Sequence, residues 1–373
     1  MILLLICGIL FLCYSLLVIY FWYGWKSVPL FTPDNNDVKT PVTISVIIPA
    51  RNEAENIAAL LEALQKQTYP PGLFEIIVVD DHSTDNTAVV VKNFGGVKLV
   101  SLQADDLNSY KKRAVETGVV HASGELIVCT DADCVPGPGW LRVIAWFAAE
   151  KKATFIAAPV VINCNSSVLQ IFQAMDFMIL QAITGAVVHN KKLSMSNGAN
   201  IAYTRQAFYD VNGFSGIDSI ASGDDMLLMY KIWKQYPGEV HYLKSKEAIV
   251  ATRPQETWKA FFNQRIRWAS KAARYEDKRF FPVLLLVYLF NLLFPVLFAA
   301  GFFCYHYWLY LAALLGGKTM VELPLFISAA AFFDKRGSAP LFFIFQPLHI
   351  LYTVISGFFS QFGKYEWKGR RVR

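Results

Sequence analysis

The chain has 373 residues, of which 54% are hydrophobic and only 17% are charged, with a formal net charge of +6. A soluble domain usually carries about a quarter charged residues, so this composition excludes an ordinary soluble protein. No pair among the 6 cysteines has CxxC spacing, so neither a disulfide framework nor a zinc site is indicated. Much of the positive charge lies beside apolar stretches, which favours contact with anionic lipid headgroups over nucleic acid.

The first segment, residues 1–25, contains no charged residue and no histidine, and it is long enough to cross a bilayer. It lacks the basic n-region and the small-residue cleavage site of a secretory signal, so we expect a retained transmembrane anchor. Aromatic residues followed by Lys26 predict that the C-terminal end of this anchor is cytoplasmic. We interpret residues 26–41 as a polar linker.

Between residues 42 and 130, short apolar runs alternate with helical patterns. We predict four strands, at Thr43–Pro49, Phe74–Asp80, Val97–Leu102 and Glu125–Thr130. We predict three intervening helices, at Glu53–Gln67, Thr84–Phe94 (with Ser83 or Thr84 as N-cap) and Ser109–Ala122. This order is typical of an α/β fold with a mostly parallel, doubly wound sheet, whose ligands bind beyond the carboxyl ends of the strands.

The pattern is more mixed from Trp140 to about Tyr242, with predicted helices near Leu169–Ile183 and Asp225–Gln235 and a turn at Asn197–Asn200. We assign residues 42–255 to one α/β domain. Residues 256–279 combine Trp and Phe with Arg and Lys, and Glu256–Tyr275 is predicted to be an amphipathic helix on the membrane surface.

Residues 280–363 form a predicted C-terminal membrane region of two or three segments, followed by a basic tail at 364–373. An external N-terminus and four full crossings would place the tail outside, whereas its basic residues favour the inside. Leu341–Ser360 contains Gln346-Pro347 and His349, so it is either a crossing or a re-entrant or interfacial segment. We expect a multi-pass protein of a bacterial inner membrane with a cytoplasmic α/β domain.

Two carboxylates stand two residues apart, at Asp131 and Asp133, on a turn that leaves the fourth predicted strand. Mg²⁺ and Mn²⁺ prefer oxygen ligands and often take one or two carboxylates together with substrate phosphates. A diphosphate leaving group needs such a cation, because its developing charge must be neutralised. A solvated turn can have the same spacing, so the pair alone leaves both interpretations open.

A second acidic turn, Asp80–Asp85, ends the second predicted strand. Adjacent carboxylates at a buried strand end repel each other, and the donors of a nucleobase and a ribose would relieve that repulsion. The alternative is a turn in which Ser83 or Asp85 caps the next helix, and both interpretations can hold together.

A third acidic pair, Asp224-Asp225, follows Gly223 at a predicted helix start. A carboxylate held there could take the proton of an acceptor hydroxyl, which is a poor nucleophile until it loses that proton. In-line attack at an anomeric carbon, opposite a leaving diphosphate, would invert its configuration. The alternative is a capped helix start.

Taken in order, Ser45–Glu53, Val79–Asp85 and Asp131–Asp133 resemble the motifs of family 2 glycosyltransferases, which have the nucleotide-sugar-binding fold called GT-A. The resemblance continues through Lys111-Lys112, Asn197–Tyr203 and Gly223–Asp225, although Tyr110 replaces the family's usual Gly. Gln264-Arg-Ile-Arg-Trp268 is similar to the QxxRW motif of membrane-bound members, among them poly-N-acetylglucosamine and hyaluronan synthases and ceramide glucosyltransferases.

The resemblance implies a role for individual residues. The nucleotide sugar would be bound by Pro49, Ala50, Glu53, Asp81, Lys111 and Asp131. Asp133, with Asp131, would hold Mg²⁺ or Mn²⁺, and Asp225 would be the catalytic base, with Asp224 in place of the family's Glu. The residues expected to close over the acceptor and the diphosphate are Asn197, Gly198, Gln264, Arg267 and Trp268.

The sequence thus predicts an inverting, metal-dependent glycosyltransferase that uses a nucleotide diphosphate sugar, expected to be a UDP-sugar. Its partners would be this donor, a lipid or membrane-associated glycan acceptor, and membrane lipids, with no nucleic acid. One alternative is a processive polysaccharide synthase that extrudes its polymer. Another is a non-catalytic nucleotide-binding membrane sensor, which loss of Asp133 or Asp225 would have favoured; both residues are present.

Overall fold

The computed structural model describes residues 2–33, 41–103, 109–164, 167–218, 220, 223–270, 276–362, 365–367 and 370–372. The chain divides into two compact units. The helical unit comprises Met1–Ser27, Cys164–Ala186 and Pro254–Tyr365. The sheet unit comprises Val28–Asn163, Val187–Arg253 and Glu366–Arg373. Residues 164–186, which the sequence pattern assigned to the α/β domain, therefore belong to the helical unit.

The helices are α1 (Ile2–Ser27), α2 (Ile57–Gln65), α3 (Thr87–Lys92), α4 (Tyr110–Val120), α5 (Trp140–Lys151), α6 (Val168–His189), α7 (Arg205–Asp210), α8 (Asp224–Gln235), α9 (Trp258–Ser270), α10 (Phe280–Gly301), α11 (His306–Phe332) and α12 (Ala339–Phe359). The strands are β1 (Ile44–Ala50), β2 (Phe74–Asp80), β3 (Val97–Ser101), β4 (Leu126–Cys129), β5 (Val135–Pro136), β6 (Phe155–Ala157), β7 (Val160–Ile162), β8 (Ile201–Thr204), β9 (Val240–Tyr242), β10 (Val250–Thr252), β11 (Tyr365–Trp367) and β12 (Arg370–Val372).

The sheet unit is built on a seven-stranded sheet with the order β3-β2-β1-β4-β8-β6-β9. Strand β8 runs antiparallel to its neighbours β4 and β6, and the other neighbouring pairs are parallel. A smaller sheet has the order β5-β10-β7. The mostly parallel, mixed sheet with intervening helices confirms the predicted α/β fold class.

The register of the parallel strands brings their carboxyl ends to one edge. Ile44 of β1 lies opposite both Phe74 of β2 and Leu126 of β4. Further along, Ala50 pairs with Asp80. The acidic turns that follow β2 and β4 therefore emerge at the edge where ligands of such sheets bind.

Two glycines allow the chain to pack closely against β1. A Cβ on Gly118 of α4 would lie 2.5 Å from Cγ2 of Ile47. A Cβ on Gly124, just before β4, would lie 2.6 Å from backbone atoms of Ile44 and Ser45. These distances are far below van der Waals contact, so a side chain at either position would push α4 or β4 away from β1.

Two helices of the sheet unit begin later than predicted. Helix α2 starts at Ile57 instead of Glu53, and α3 starts at Thr87 instead of Thr84. The N-cap residue of α3 is Asn86, so the assignment of that role to Ser83 or Thr84 was wrong. The residues left outside these helices form the turns described in the next subsection.

Within the part of the chain that the structure describes, five helices are long and apolar enough to cross a membrane: α1, α6, α10, α11 and α12. Four of them fall in the predicted apolar segments. Helix α6 was predicted only as an ordinary helix, and 78% of its apolar window is buried within the protein. Helix α12 continues past Pro347 without a break, which favours a crossing over a re-entrant segment.

Helix α9, Trp258–Ser270, is the described part of the predicted amphipathic helix, and the continuation to Tyr275 lies outside the described residues. Phe261 and Arg265 are its buried residues. Phe261 belongs to an apolar cluster of the helical unit with Leu169, Phe172 and Tyr352.

Candidate active site

The loops that follow β1 and β2 are joined by hydrogen bonds. Oδ1 of Asn52 accepts the backbone N–H of Thr84 at 2.8 Å, and the N–H of Asn52 donates to Oγ of Ser83 at 3.0 Å. Nη1 of Arg51 donates to the carbonyl of Asp81 at 2.8 Å. The two turns singled out in the sequence therefore fix each other at the ligand-binding edge of the sheet.

Asp85 and Glu53 complete this junction. The carboxylate of Asp85 accepts the N–H groups of Ala54 and Thr87 at 3.1 and 3.0 Å. Burial raises the pKa of Asp85, but the hydrogen bonds from Thr87 and Ala54 outweigh burial and lower the pKa below its ordinary value. The carboxylate of Glu53 accepts Nδ2 of Asn56 at 2.6 Å, at the start of α2. Glu53, expected in the nucleotide pocket, thus also shapes the turn into this helix.

Asp81 is almost fully buried, with 3% of its surface exposed. Its carboxylate lies 3.0 Å from Nδ1 of His82 and 3.9 Å from Nη1 of Arg51. Its N–H donates to the carbonyl of Ala50 at 2.8 Å, so two of the residues predicted to bind the nucleotide are adjacent. His82 and Asn52 have φ values of 53° and 51°, a conformation uncommon outside glycine that surrounding contacts must hold.

Lys111 lies between two of the predicted acidic sites. Its Nζ is 2.6 Å from Oδ1 of Asp131 and 3.5 Å from Oδ2 of Asp224. Burial lowers the pKa of the ammonium group, but the charges of Asp131 and Asp224 outweigh burial and raise the pKa above its ordinary value. Lys111 therefore keeps its positive charge, and it links the turn after β4 to the start of α8.

Asp225 is held by two backbone N–H groups. Its Oδ2 accepts the N–H of Gly198 at 2.9 Å, and its Oδ1 accepts the N–H of Met226 at 2.7 Å. A Cβ on Gly198 would lie 3.1 Å from Nζ of Lys111 and 3.2 Å from Oδ2 of Asp224. A side chain at this position would therefore crowd the ends of Lys111 and Asp224 and require them to shift.

The turn that carries Gly198 is positioned by a residue that the sequence did not single out as functional. Asn200 is fully buried, and its Nδ2 donates to the carbonyls of Pro159 and Ala248 at 2.8 and 2.7 Å. Its Oδ1 accepts Nε1 of Trp140 at 3.0 Å. Asn197, predicted to close over the substrates, accepts the N–H of Ala199 with its own side chain and so stabilises the turn.

The two carboxylates of the turn after β4 have different partners. Asp131 pairs with Lys111, whereas Oδ2 of Asp133 accepts Oγ1 of Thr252 at 3.4 Å. Among the described residues there is no cluster of three or more His, Cys, Asp or Glu side chains that could hold a metal ion. Two carboxylates nevertheless fit a Mg²⁺ or Mn²⁺ ion that takes its other ligands from water and substrate phosphates.

A cavity lies beside these groups, and it brings several predicted residues together. Its lining consists of Pro49, Lys111, Val115, Cys129, Gly198, Ile201, Tyr203, Phe214, Asp224 and Leu228. Burial raises the pKa of the Cys129 thiol to about 12. Since the thiolate is the nucleophilic form, Cys129 is unsuited to covalent catalysis. The charged residues of the cavity lining are Lys111 and Asp224.

The remaining predicted residues, Gln264, Arg267 and Trp268, lie on α9 in the helical unit. Their neighbour Arg265 was missed, although it is the buried basic residue of that helix. Nη2 of Arg265 donates to Asp176 at 2.7 Å. The available signal was Asp176 itself, a single acidic residue within the otherwise apolar α6.

The mixed sheet and the acidic edge of its parallel strands agree with the GT-A fold that the motifs predicted. Residues 45–211 match the family model described as Glycosyl transferase family 2. Residues 45–211 are therefore a family 2 glycosyltransferase domain, which confirms the resemblance of the motifs that lie within this stretch.

Curated relatives agree with this assignment. The probable glycosyltransferase YdaM of Bacillus subtilis is 29% identical over 233 residues, which cover 61% of this chain and 54% of that protein. A poly-beta-1,6-N-acetyl-D-glucosamine synthase of Staphylococcus epidermidis is 26% identical over 249 residues, which cover 65% of this chain and 57% of that protein. The chain thus spans about half the length of these relatives.

A solved structure shares the fold. The mannosyltransferase PcManGT of Pyrobaculum calidifontis, in complex with GDP-Man and Mn²⁺, aligns with a TM-score of 0.56. The alignment covers 95% of this chain and 98% of the mannosyltransferase, at 18% sequence identity. At that identity the similarity concerns the fold alone.

Proposed function

We propose that this protein transfers a sugar from a nucleotide diphosphate sugar to a lipid or a membrane-associated glycan, with inversion at the anomeric carbon. The observation that carries the proposal is the position of Lys111 between Asp131 and Asp224. Lys111 and Asp131 belong to the stretch that matches the family 2 model, and Asp224 follows it. This arrangement puts a fixed positive charge beside two acidic groups at the sheet edge where nucleotide ligands bind.

The donor is proposed to lie along the interlocked turns after β1 and β2. Pro49, Ala50 and Glu53 would line the pocket, and Asp81 would accept hydrogen bonds from the nucleobase. Asp81 is buried next to His82, and an ionised carboxylate only accepts hydrogen bonds, so a base that supplies N–H donors would match it. A UDP-sugar is the proposed donor, and a GDP-sugar is the comparison to make because the mannosyltransferase of the same fold was solved with GDP-Man.

Asp133 and Asp131 are proposed to hold Mg²⁺ or Mn²⁺. When bound, the ion would neutralise the negative charge that develops on the leaving diphosphate. Lys111 would add its own charge beside Asp131 without needing the ion, since its pKa is raised. The Mn²⁺ in the mannosyltransferase structure is a reason to test that metal first.

Asp225 is proposed to act as the catalytic base. Its two backbone hydrogen bonds fix the carboxylate at the first turn of α8, so little movement is needed to meet an acceptor hydroxyl. Asp224 lines the cavity beside Lys111 and is the alternative candidate for the base. Proton removal from the hydroxyl would then accompany attack on the anomeric carbon.

The acceptor is proposed to be membrane-associated. Helix α9 carries Gln264, Arg267 and Trp268, which would close over the diphosphate and acceptor, and the apolar α10 begins only about a dozen residues later. Trp258 is an exposed aromatic residue of α9, as suits the headgroup layer. We accordingly propose a multi-pass membrane protein with its sheet unit in the cytoplasm.

A polysaccharide synthase is the second candidate, because a relative with this activity in its name matches 65% of the chain. The two functions differ in their products. A single transfer gives one glycosylated acceptor per donor consumed, whereas a processive synthase gives long chains from few acceptors. Sizing the labelled product by gel electrophoresis would separate them.

A donor screen tests the proposal. The full-length protein, purified in detergent with Mn²⁺ and native lipids, should release nucleoside diphosphate from at least one nucleotide sugar. The Asp225→Asn variant should not, and Asp210→Asn, a surface substitution of the same kind on α7, should behave like the wild type. A protein that binds nucleotide sugars but releases no nucleoside diphosphate from any of them would instead be a sensor.

A further inference from the structure

Helix α9 is attached to α6 at three successive levels within the helical unit, and Phe261 of α9 also packs against Tyr352 of α12. Gln173 and Gln255 exchange two hydrogen bonds of 2.9 Å just before α9 begins. Asp176, one helical turn further along α6, accepts Nη2 of Arg265 at 2.7 Å. Phe177 packs its ring 6.1 Å from the ring of Trp268. Residues three and four positions apart share a helix face, so these anchors form one continuous surface of α6.

Asp176 is the polar centre of this surface. Besides Arg265, it accepts the hydroxyl of Tyr352 from α12 at 2.5 Å, and Nε2 of His349 lies 3.9 Å away. The side chains of Asp176 and Arg265 are each only 4% exposed. A buried charge pair of this kind contributes little net stability, because desolvation opposes the attraction, and fixing one geometry is its best-supported role.

The guanidinium of Arg265, held by Asp176, also contacts the ring of Trp268. Its central carbon lies 4.4 Å from the ring centroid of Trp268 and 4.9 Å from that of Phe261. A planar cation on a ring face favours one ring orientation. Asp176 thus fixes Arg265, and Arg265 together with Phe177 fixes the indole that the proposed function places over the acceptor.

We propose that Asp176 and Gln173 are positioning residues, which hold α9 so that Gln264, Arg267 and Trp268 are presented for sugar transfer. The catalytic part of this inference rests on the proposed function. The attachment of α9 to α6 rests only on the contacts described above. Asp176 and Gln173 touch no substrate in this account, because they act through Arg265 and Gln255.

The test compares Asp176→Asn with Glu322→Gln. Glu322 is a matched control, since it is an acidic residue of the same unit that pairs with a buried base, Lys318, at 2.7 Å on α11. Two measurements are made on the full chain in lipid nanodiscs: steady-state transfer at varied donor concentration, and amide hydrogen exchange of residues 258–270. A third variant, Gln173→Met, removes both bonds to Gln255 while keeping side-chain volume, in case Asp176→Asn does not fold.

We expect Asp176→Asn to reduce kcat by up to about 100-fold with little change in donor KM, because misplacement by about 1 Å can have that effect. Gln173→Met should reduce kcat in the same sense. Both should speed exchange across α9, and Glu322→Gln should do neither. If all three variants lose activity only in proportion to their loss of thermal stability, with equal exchange in α9, the positioning role is refuted.

The exchange data also separate this inference from the proposed function. A wild-type protein without transfer activity for any donor would defeat the proposed function, while faster exchange in Asp176→Asn would still support the attachment of α9 through Asp176. Normal transfer by Asp176→Asn and Gln173→Met would defeat the positioning role alone.

Discussion

Neighbouring lysines of α4 bind different groups at the proposed active site. Lys111 faces the carboxylates of Asp131 and Asp224. Lys112 is buried, with 2% of its surface exposed, and its Nζ donates to the carbonyls of Ile217 and Ile220 at 2.6 and 2.5 Å. One lysine therefore supplies charge to the site, and the other holds the segment that leads toward Asp224.

Replacing Lys112 tests whether that segment must be held in place. Lys112→Met keeps the length of the side chain but removes both hydrogen bonds, so we expect a loss of about 2 kcal/mol in stability and a larger fractional loss in kcat/KM. Thermal unfolding and a transfer assay measure the two effects. Lys98→Met, at an exposed lysine of β3, is the control. Unchanged kcat/KM in a folded Lys112→Met protein would contradict this role.

Replacing each residue of the acidic pair separately identifies the base. Asp225→Asn keeps size and removes basicity, although its amide can accept only one of the two backbone N–H groups. Transfer should fall by about 10²–10⁴-fold while donor affinity stays near that of the wild type. Donor affinity is measured by calorimetry and transfer by product formation. An inactive Asp224→Asn variant beside an active Asp225→Asn variant would reverse the assignment.

Removal of divalent cations tests the site at Asp133 and Asp131. EDTA should abolish transfer, and Mn²⁺ or Mg²⁺ should restore it, because two carboxylates and a diphosphate would share the ion. Asp133→Asn should raise the metal concentration needed for half-maximal activity. Full turnover of the wild type in EDTA would show that Lys111 and the protein's other donors suffice without a metal.

The first four strands were predicted closely, whereas the short strands β5 to β10 were not predicted from the mixed pattern that follows them. The bounds of β2, Phe74–Asp80, agree with the prediction because a buried parallel strand is an uninterrupted apolar run. Helices α2 and α3 begin late because Glu53 and Asp85 belong to the turns that bind each other, a tertiary contact that helical periodicity does not report.

The attachment of α9 could not be predicted for a related reason. Asp176 and Arg265 are 89 residues apart in the sequence, and the pattern around each is compatible with several partners. The sequence indicated candidate metal-binding carboxylates, candidate bases and candidate membrane segments. It did not indicate which buried side chains, such as Asn200 and Asp176, hold those residues in place.

The start of β4 depends on a carboxylate from β2. Glu75 accepts Oγ of Ser45 at 2.7 Å and the N–H and Oγ of Ser123 at 2.6 and 2.7 Å. Burial raises the pKa of Glu75, but the hydrogen bonds from Ser123 and Ser45 outweigh burial and lower the pKa below its ordinary value. A lowered folded-state pKa stabilises the protein above the unfolded pKa of about 4.3, and this stability is lost as pH falls through the folded pKa.

Glu75→Gln should therefore lower Tm at pH 7, and the difference from the wild type should shrink as pH falls below about 4. Tm measured from pH 3 to pH 8 in detergent checks this. Glu62→Gln, at an exposed position of α2, should show no such pH-dependent difference. If the difference in Tm between the wild type and Glu75→Gln stayed constant from pH 3 to pH 8, the ionised carboxylate would not be the group that connects β2, β1 and β4.

The molecule combines two units of different character. The sheet unit carries the acidic edge and the cavity. Among the described residues, the helical unit carries α9 and the long apolar helices α1, α10, α11 and α12, together with most of α6. The chain spans about half the length of its curated relatives, so its own substrates have to be established on this protein. The proposed function assigns the donor to the sheet unit and a membrane-associated acceptor to the residues of α9.

Transfer of labelled sugar into the lipid phase tests the central proposal most directly. The full-length protein, reconstituted in vesicles of its native lipids with Mn²⁺, is incubated with a radiolabelled nucleotide sugar, and the label in the membrane fraction is compared with the nucleoside diphosphate released. We predict equal amounts of both, and neither with Asp225→Asn, whereas Asp210→Asn should match the wild type. If nucleoside diphosphate were released but all the label stayed in water-soluble sugar, the acceptor would not be membrane-associated. If no donor gave any release, the proposed glycosyltransferase activity would be contradicted.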